Sequence, residues 1–96
     1  MSTGVAFMKW TDQGVRNYRE TLDRYEQTKK LADQRGVEIK EIFWTPGGPY
    51  DIVSVAEAPE DKTLAAFMLS LESLGNLRIT WASAYGPDEM REVITD

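Results

Sequence analysis

The sequence predicts an α+β fold in which strands and helices follow one another in the order βαββαβ. Two observations predict it. Four short segments rich in β-branched and aromatic residues alternate with helical patterns, and glycine or glycine–proline signals separate them. With 96 residues, of which 42% are hydrophobic, the chain has the size and composition of one globular domain. Residues 1–96 are therefore interpreted as a single domain.

The first part of the chain predicts a strand followed by one long helix. Residues 4–11 are apolar and favour a strand, and Thr11 and Asp12 then offer side-chain oxygens that cap a helix. Thr21 is also a fair N-cap residue, so it marks a kink or a second start. Gly36 ends the helix as a left-handed cap. Apolar residues at helical spacing predict its buried face: Val15, Tyr18, Leu22, Tyr25, Leu31 and Ala32.

The remaining chain completes the pattern with strands over residues 37–44, 50–58 and 76–85, and with a short terminal helix over 88–94. The second long helix begins near Pro59, which suits the first helical turn, and Gly75 caps it. Its predicted buried stripe is Leu64, Phe67, Met68, Leu71 and Leu74. This order of elements is that of the ferredoxin-like fold, with two helices on one face of a four-stranded antiparallel sheet.

The first and third strands lie at the centre of such a sheet, and both of their faces are largely apolar. One set of side chains is Val5, Phe7, Val53 and Val55, and the other is Ala6, Met8, Trp10, Ile52, Ser54 and Ala56. We assign Trp10, with Met8 below it, to the second face, which the helices leave uncovered. A sheet with one solvated face alternates apolar and polar residues. We therefore predict a homo-oligomer, most simply a dimer packed sheet to sheet.

Composition excludes several chemistries. The chain contains no cysteine and no histidine, so it has no thiolate nucleophile, no imidazole proton shuttle and no histidine ligand for zinc or haem. We expect no metal and no cofactor. The net charge of −5 argues against nucleic-acid binding. We also expect no signal peptide and no membrane span, and hence a cytoplasmic protein.

Three stretches resemble a known family: KWTDQGVRN (9–17), PYDIVSVAEAPED (49–61) and SLGNLRI (73–79). They are similar to the GYD domain family, named for a Gly-x-Tyr-Asp motif that here is Gly48, Tyr50 and Asp51 with Pro49 between them. The resemblance implies membership of the dimeric α/β-barrel superfamily, which agrees with the apolar second face. The turn before the motif is longer than usual and carries proline where a polar residue is common. The family is largely uncharacterised, so the resemblance implies a fold and no reaction.

Two interpretations of Tyr50-Asp51 stay open. In the first, which we favour, Gly47 and Gly48 supply positive φ angles and Asp51 accepts hydrogen bonds from the turn. In the second, Asp51 lies at the mouth of a cavity as a base or ligand anchor. Asp51 shares strand parity with Glu57, on a face that the helices would then cover. Together with Glu38 and Glu41 these acids are too widely spaced in the sequence to predict a metal site.

Three tryptophans, Trp10, Trp44 and Trp81, suit packing or an aromatic pocket wall. Asn76 follows the helix-ending Gly75, and its amide suits a backbone bond at the start of the strand. The resemblance adds a second hypothesis for Asn76, since amides and tryptophans near the cavity take part in the chemistry of cofactor-free oxygenases of this superfamily.

These residues support three hypotheses. The leading one is a homo-oligomeric domain that binds a small, partly aromatic molecule in a cavity near the sheet, lined by Met8, Trp10, Tyr50, Asp51 and Trp81. The second is a cofactor-independent monooxygenase or isomerase, with Asp51 as proton acceptor and Tyr50 or Asn76 as hydrogen-bond donor. The third is a structural or regulatory assembly module with a filled interface. The sequence leaves open whether the protein is an enzyme.

Overall fold

The computed structural model describes residues 1–95. Its sheet has the strand order β2-β3-β1-β4, with every neighbouring pair antiparallel. The α+β fold and the central position of β1 and β3 are therefore confirmed. The elements are β1 (Ser2–Trp10), α1 (Asp12–Arg16), a short 3-10 turn (Tyr18–Glu20), α2 (Thr21–Arg35), β2 (Glu38–Trp44), β3 (Ile52–Ala58), α3 (Asp61–Glu72), β4 (Leu77–Ala84) and α4 (Pro87–Ile94).

The first long helix is interrupted, as one of the two interpretations of Thr21 predicts. Thr11 caps α1 by accepting a hydrogen bond from the Gly14 N–H, but α1 ends at Arg16, and α2 begins at Thr21. The break changes which side chains face the core. Val15, Tyr18 and Leu22 are exposed, so their predicted burial is wrong, whereas Ala32 is buried and Tyr25 and Leu31 are half-buried.

The glycine predictions are confirmed at three positions and wrong at a fourth. Gly36 (φ 75°), Gly47 (φ 86°) and Gly75 (φ 85°) adopt the left-handed conformation that side chains disfavour. Gly48 does not, because only Gly47 needs a positive φ to turn the chain. The second long helix begins at Asp61 and ends at Glu72, so Leu74 lies beyond it and is 61% exposed, contrary to the predicted stripe.

The helices cover the opposite face of the sheet from the one expected. Ala6, Met8, Ile52 and Ala56 are buried with α3 residues such as Phe67 in the core, so Met8 and Trp10 belong to the helix side. Strand alternation divides the side chains into two sets but does not say which set the helices cover. The right-handed crossovers between the parallel strands β1 and β2, and between β3 and β4, decide that.

The other face of the sheet, here called the open face, carries the set that was expected under the helices. Val5 lies opposite Val55, and Phe7 lies opposite Val53, in the pairing of β1 with β3. Phe43 on β2 extends this apolar strip beside Val53 and is 59% exposed. Every described residue of α4 is exposed, so that helix leaves the strip uncovered. The prediction of two apolar faces is confirmed in composition, with their assignment reversed.

Among residues 1–95, no helix is both long and apolar enough to cross a membrane.

Candidate functional site

A cavity of about 380 Å³ lies between α2, α3 and the sheet. Its lining is mainly apolar, with the central strands as the floor and the two helices as the walls. The floor includes Met8, Ile52, Ser54 and Ala56, and the walls include Leu31, Phe67, Met68 and Leu71. Protein interiors contain few voids larger than a water molecule. A space of this size in a 10.9 kDa domain is therefore a candidate binding site.

One edge of the cavity is aromatic. Trp10 at the end of β1 and Trp44 at the end of β2 both line it. The indole N–H of Trp44 donates to the Thr21 hydroxyl over 2.9 Å, and the Trp44 ring meets the Tyr25 ring edge to face with centroids 5.5 Å apart. These contacts hold the start of α2 against the end of β2. The start of α2 at Thr21 therefore fixes this wall.

Polar groups in the cavity are few. Ser54 is 5% exposed, and its hydroxyl has no hydrogen-bond partner among residues 1–95. No fully enclosed polar side-chain atom of these residues lacks a partner, so the hydroxyl must border open space, and Ser54 lines the cavity. Thr21, Gln27, Thr28 and Asn76 add neutral polar groups at the walls and rim, and among residues 1–95 Arg24 is the only charged residue in the lining. The cavity thus combines mainly apolar walls, a few neutral polar groups and one cation.

Asp51 lies outside this lining and performs a structural task. Its carboxylate accepts a hydrogen bond of 2.9 Å from the Trp10 backbone N–H, and its own N–H donates to the Met8 carbonyl over 2.8 Å. The Asp51 carbonyl accepts from the Thr45 N–H over 2.8 Å. Asp51 therefore ties the end of β1 to the turn before β3. The turn interpretation accounts for the bond from Thr45, but the Asp51 carboxylate accepts from the end of β1 rather than from an N–H group of the turn as expected.

Tyr50 and Trp81 also lie outside the cavity lining, on opposite faces of the sheet. The Tyr50 ring is 5.1 Å from the Phe7 ring, which belongs to the open face. Trp81 packs against the helix-side core, where its ring lies close to Gly4. Of the six candidate residues, the structure therefore brings Met8, Trp10 and Asn76 to the cavity and leaves Tyr50, Asp51 and Trp81 apart from it.

Asn76 belongs to a close contact between the start of α1 and the start of β4. The Asn76 carbonyl accepts from the Thr11 N–H over 3.0 Å, and its amide oxygen accepts from Gln13 over 2.9 Å. The Thr11 hydroxyl donates to the Gly75 carbonyl over 2.6 Å. A Cβ atom on Gly14 would overlap the Asn76 backbone oxygen, so only glycine allows this approach. The Asn76 amide therefore bonds the Gln13 side chain rather than the backbone group that was expected, and it is the Asn76 main-chain carbonyl that meets Thr11.

Thr11, Gly14, Asp51, Gly75 and Asn76 together form a strand-end joint at one end of the sheet. Each of the three motif stretches found in the sequence contributes to it: the segment 9–17 meets Asp51 from the second stretch and Gly75-Asn76 from the third. The joint positions Trp10 and Asn76, which border the cavity. The motif residues therefore act mainly as the frame of the site.

The cavity offers little acid–base chemistry. In the part of the chain that the structure describes, no carboxylate lines it, and Arg24 and Tyr25 are its titratable residues. Within residues 1–95, no group of three or more acidic side chains converges to hold a metal ion. Because the Asp51 carboxylate is bonded to the Trp10 N–H outside the lining, the hypothesis that Asp51 accepts a substrate proton there gains no support.

Trp44 was among the three tryptophans that suited a pocket wall, but Arg24 and Ser54 were not predicted to line the cavity. Arg24 looked like part of a solvated helix surface, because the helical pattern was counted from Val15. Counted from Thr21, where α2 begins, the cavity-lining residues follow helical spacing: Thr21, Arg24, Tyr25, Thr28 and Leu31. The signal was present, but it required knowing where the helix restarts.

Comparison with known proteins agrees with this architecture. A model of the GYD domain matches residues 5–94. The chain is similar in structure to the C-terminal domain of the MgtC protein from Mycobacterium tuberculosis, solved in solution, with a TM-score of 0.56, 14% sequence identity and 86% of each chain covered. At that identity the likeness concerns the fold alone. No curated protein matches the sequence.

Proposed function

This chain belongs to the GYD domain family, and on that premise we propose that it binds a small, largely apolar molecule in the cavity between its helices and its sheet. We further propose that it does so as a homodimer joined through the open face. The cavity itself carries the first proposal. Its volume of about 380 Å³ falls within the range of roughly 300–1,000 Å³ that small-molecule sites occupy.

The lining favours binding of an apolar or aromatic molecule. Aromatic and aliphatic side chains from α2, α3 and all four strands surround the space, and Trp10, Tyr25 and Trp44 offer ring surfaces on one side. Flat apolar ligands gain most from such walls, because burial and ring stacking both contribute. Since no carboxylate of residues 1–95 lines the cavity, binding is better supported than acid–base catalysis.

Filling the cavity from α2 tests this proposal. Thr28 lines the cavity, whereas Gln34 on the same helix is exposed. We expect Thr28→Phe to abolish binding of naphthamide, a neutral aromatic probe, in isothermal titration calorimetry, while Gln34→Phe leaves the affinity within about twofold. Thermal melting of both variants checks that they fold. Equal naphthamide affinities in the two variants would contradict the proposed site.

The open face supports the proposal of a second copy. Val5, Phe7, Val53 and Val55 form an apolar strip on two central strands, and Phe43 widens it. Apolar side chains on both faces of a sheet are unusual in a monomer. Where one face of a sheet is exposed to solvent, apolar and polar residues ordinarily alternate along each strand, so that the exposed face is polar. The same strip on a second chain is self-complementary, as a two-fold dimer requires.

Replacing Phe7 tests the dimer. We expect sedimentation equilibrium to show a dimer for the unaltered protein and a monomer for Phe7→Asp, since a charge in the strip would have to be buried at the interface. Leu69→Asp is the matched control, because Leu69 is an apolar residue on α3 that is 67% exposed. A monomeric unaltered protein at millimolar concentration would refute the interface. A dimer that binds no naphthamide would favour the assembly-module hypothesis.

A further inference from the structure

Arg24 is the one cation on the cavity lining of a chain whose net charge is −5. It lies on the first turns of α2 and is half-buried, so it borders both the cavity and solvent. Two backbone carbonyls fix its position. Both terminal nitrogens of the guanidinium donate to the Gly14 carbonyl, over 3.4 and 3.3 Å, and one of them also donates to the Asn17 carbonyl.

The Arg24 charge is unneutralised in the described chain. Ion pairs join Lys29 to Glu26, Lys40 to Glu38 and Arg91 to Asp88, and none of residues 1–95 gives Arg24 a carboxylate partner. A guanidinium carries five N–H donors. The contacts to Gly14 and Asn17 engage three of these donors at most, so at least two remain for another acceptor.

We infer that the ligand of this cavity is an organic acid: an apolar, ring-sized body held among the aromatic walls, with its carboxylate bound by Arg24. This inference rests on the proposed function and names its ligand class. Arginine donates charge-assisted hydrogen bonds to carboxylates, and these are stronger than bonds between neutral groups. The two free donors of Arg24, on Nε and Nη1, lie on different edges of the guanidinium, so either can donate one such bond. A cation that backbone carbonyls hold in place beside an apolar cavity is prepared for such a bond, because little side-chain freedom is lost on binding.

The charges along the cavity lining disfavour a cationic ligand. No acid among residues 1–95 lines the space, so an ammonium ligand would meet Arg24 without a counter-charge. A neutral amide of the same shape would still fill the apolar volume but would lack the charge-assisted bond. We therefore expect the affinity to be highest for a carboxylate ligand, lower for an amide and lowest for an ammonium ligand.

Calorimetry with three probes of one shape tests this order at neutral pH, where naphthoate is ionised: naphthoate, naphthamide and naphthylmethylammonium. We expect naphthoate to bind about ten- to a hundredfold more tightly than naphthamide, since hydrogen bonds to charged groups contribute about 1.5–3 kcal/mol. The ammonium probe should bind most weakly. Arg24→Gln should reduce the naphthoate preference to about twofold or less.

Two further variants separate recognition from general effects. Arg24→Lys keeps the charge and should retain part of the preference, because lysine offers a point charge that the Gly14 and Asn17 carbonyls no longer hold in the same position. Lys30→Gln removes an exposed charge on the same helix and should leave the preference unchanged. The comparison uses the ratio of the naphthoate affinity to the naphthamide affinity within each variant. Any loosening of α1 would lower both affinities alike, because both probes occupy the same cavity, and would leave this ratio unchanged.

The outcomes distinguish this inference from the function beneath it. Equal binding of naphthoate and naphthamide, or a preference that survives Arg24→Gln, would overturn the organic-acid inference and leave the cavity as a binding site. Tighter binding of the ammonium probe would overturn it as well. Failure of all three probes to bind would overturn the proposed function itself, and the inference with it.

Discussion

The strand-end joint and the helix-side cavity are neighbours that are built in opposite ways. In the joint, backbone and side-chain polar groups meet at hydrogen-bond distances, such as 2.6 Å from the Thr11 hydroxyl to the Gly75 carbonyl. In the cavity, apolar side chains surround about 380 Å³ of unfilled space, and the Ser54 hydroxyl has no partner among residues 1–95. The residues of the three motif stretches therefore build mainly the frame, while most residues that line the cavity belong to no motif.

Gly14→Ala should produce the largest loss of stability. The new Cβ would overlap the Asn76 carbonyl oxygen, a backbone atom held by the Thr11 N–H, so α1 and β4 would have to separate. We expect a decrease of about 3 kcal/mol in the free energy of unfolding, measured by urea denaturation. Gly86→Ala is the control, because its nearest neighbour would be the flexible Glu89 side chain at 3.9 Å. Equal losses in the two variants would show that the close approach is not what requires glycine at position 14.

Asp51→Asn should produce an intermediate effect on stability and none on binding. The amide oxygen can still accept from the Trp10 N–H, but the charge-assisted part of that bond is lost. We expect a decrease of about 1–2 kcal/mol in the free energy of unfolding, against less than about 0.5 kcal/mol for the exposed Asp33→Asn control. Naphthamide affinity should stay within about twofold. A stable variant that no longer binds naphthamide would show that Asp51 contributes to the binding site, and that the strand-end joint and the cavity do not have separate roles.

Ser54→Ala should produce the smallest change in stability. The hydroxyl has no protein partner in the described chain, so its removal from the cavity floor breaks no hydrogen bond. We expect the free energy of unfolding to change by less than about 0.5 kcal/mol, as it should for the exposed Ser83→Ala on β4. A loss above about 1.5 kcal/mol would indicate that the hydroxyl supports the floor and that frame and cavity overlap there.

The elements of the fold could be predicted closely, because each depends on local signals. The left-handed cap at Gly36 and the Thr11 cap lie where the sequence indicated, whereas Gly75 is left-handed but lies two residues beyond Ser73, which caps α3. The strands agree within two residues at each end. The main local error concerns residues 12–35, where one helical stripe was assumed although Thr21 offered a second start. The exposure of Val15, Tyr18 and Leu22 follows from that single break.

The site was predicted less completely than the fold. Met8, Trp10 and Asn76 do border the cavity, but Tyr50 and Asp51 were chosen for their chemistry and contribute to the turn and the open face instead. A carboxylate next to a glycine–proline turn has the same sequence signature whether it binds a ligand or a backbone N–H. Only the 2.9 Å contact with the Trp10 N–H, formed between residues far apart in the chain, distinguishes the two roles.

The sequence by itself determined the α+β class, the order of the elements, the apolar character of both sheet faces and the absence of thiol and imidazole chemistry. These properties follow from residue types and short-range periodicity. The tertiary structure alone decided which sheet face the helices cover, that the three motif stretches meet in one joint, and that Arg24 and Trp44 border one cavity. These outcomes depend on crossover handedness and on contacts between distant segments, and alternation along a single strand is the same for either face.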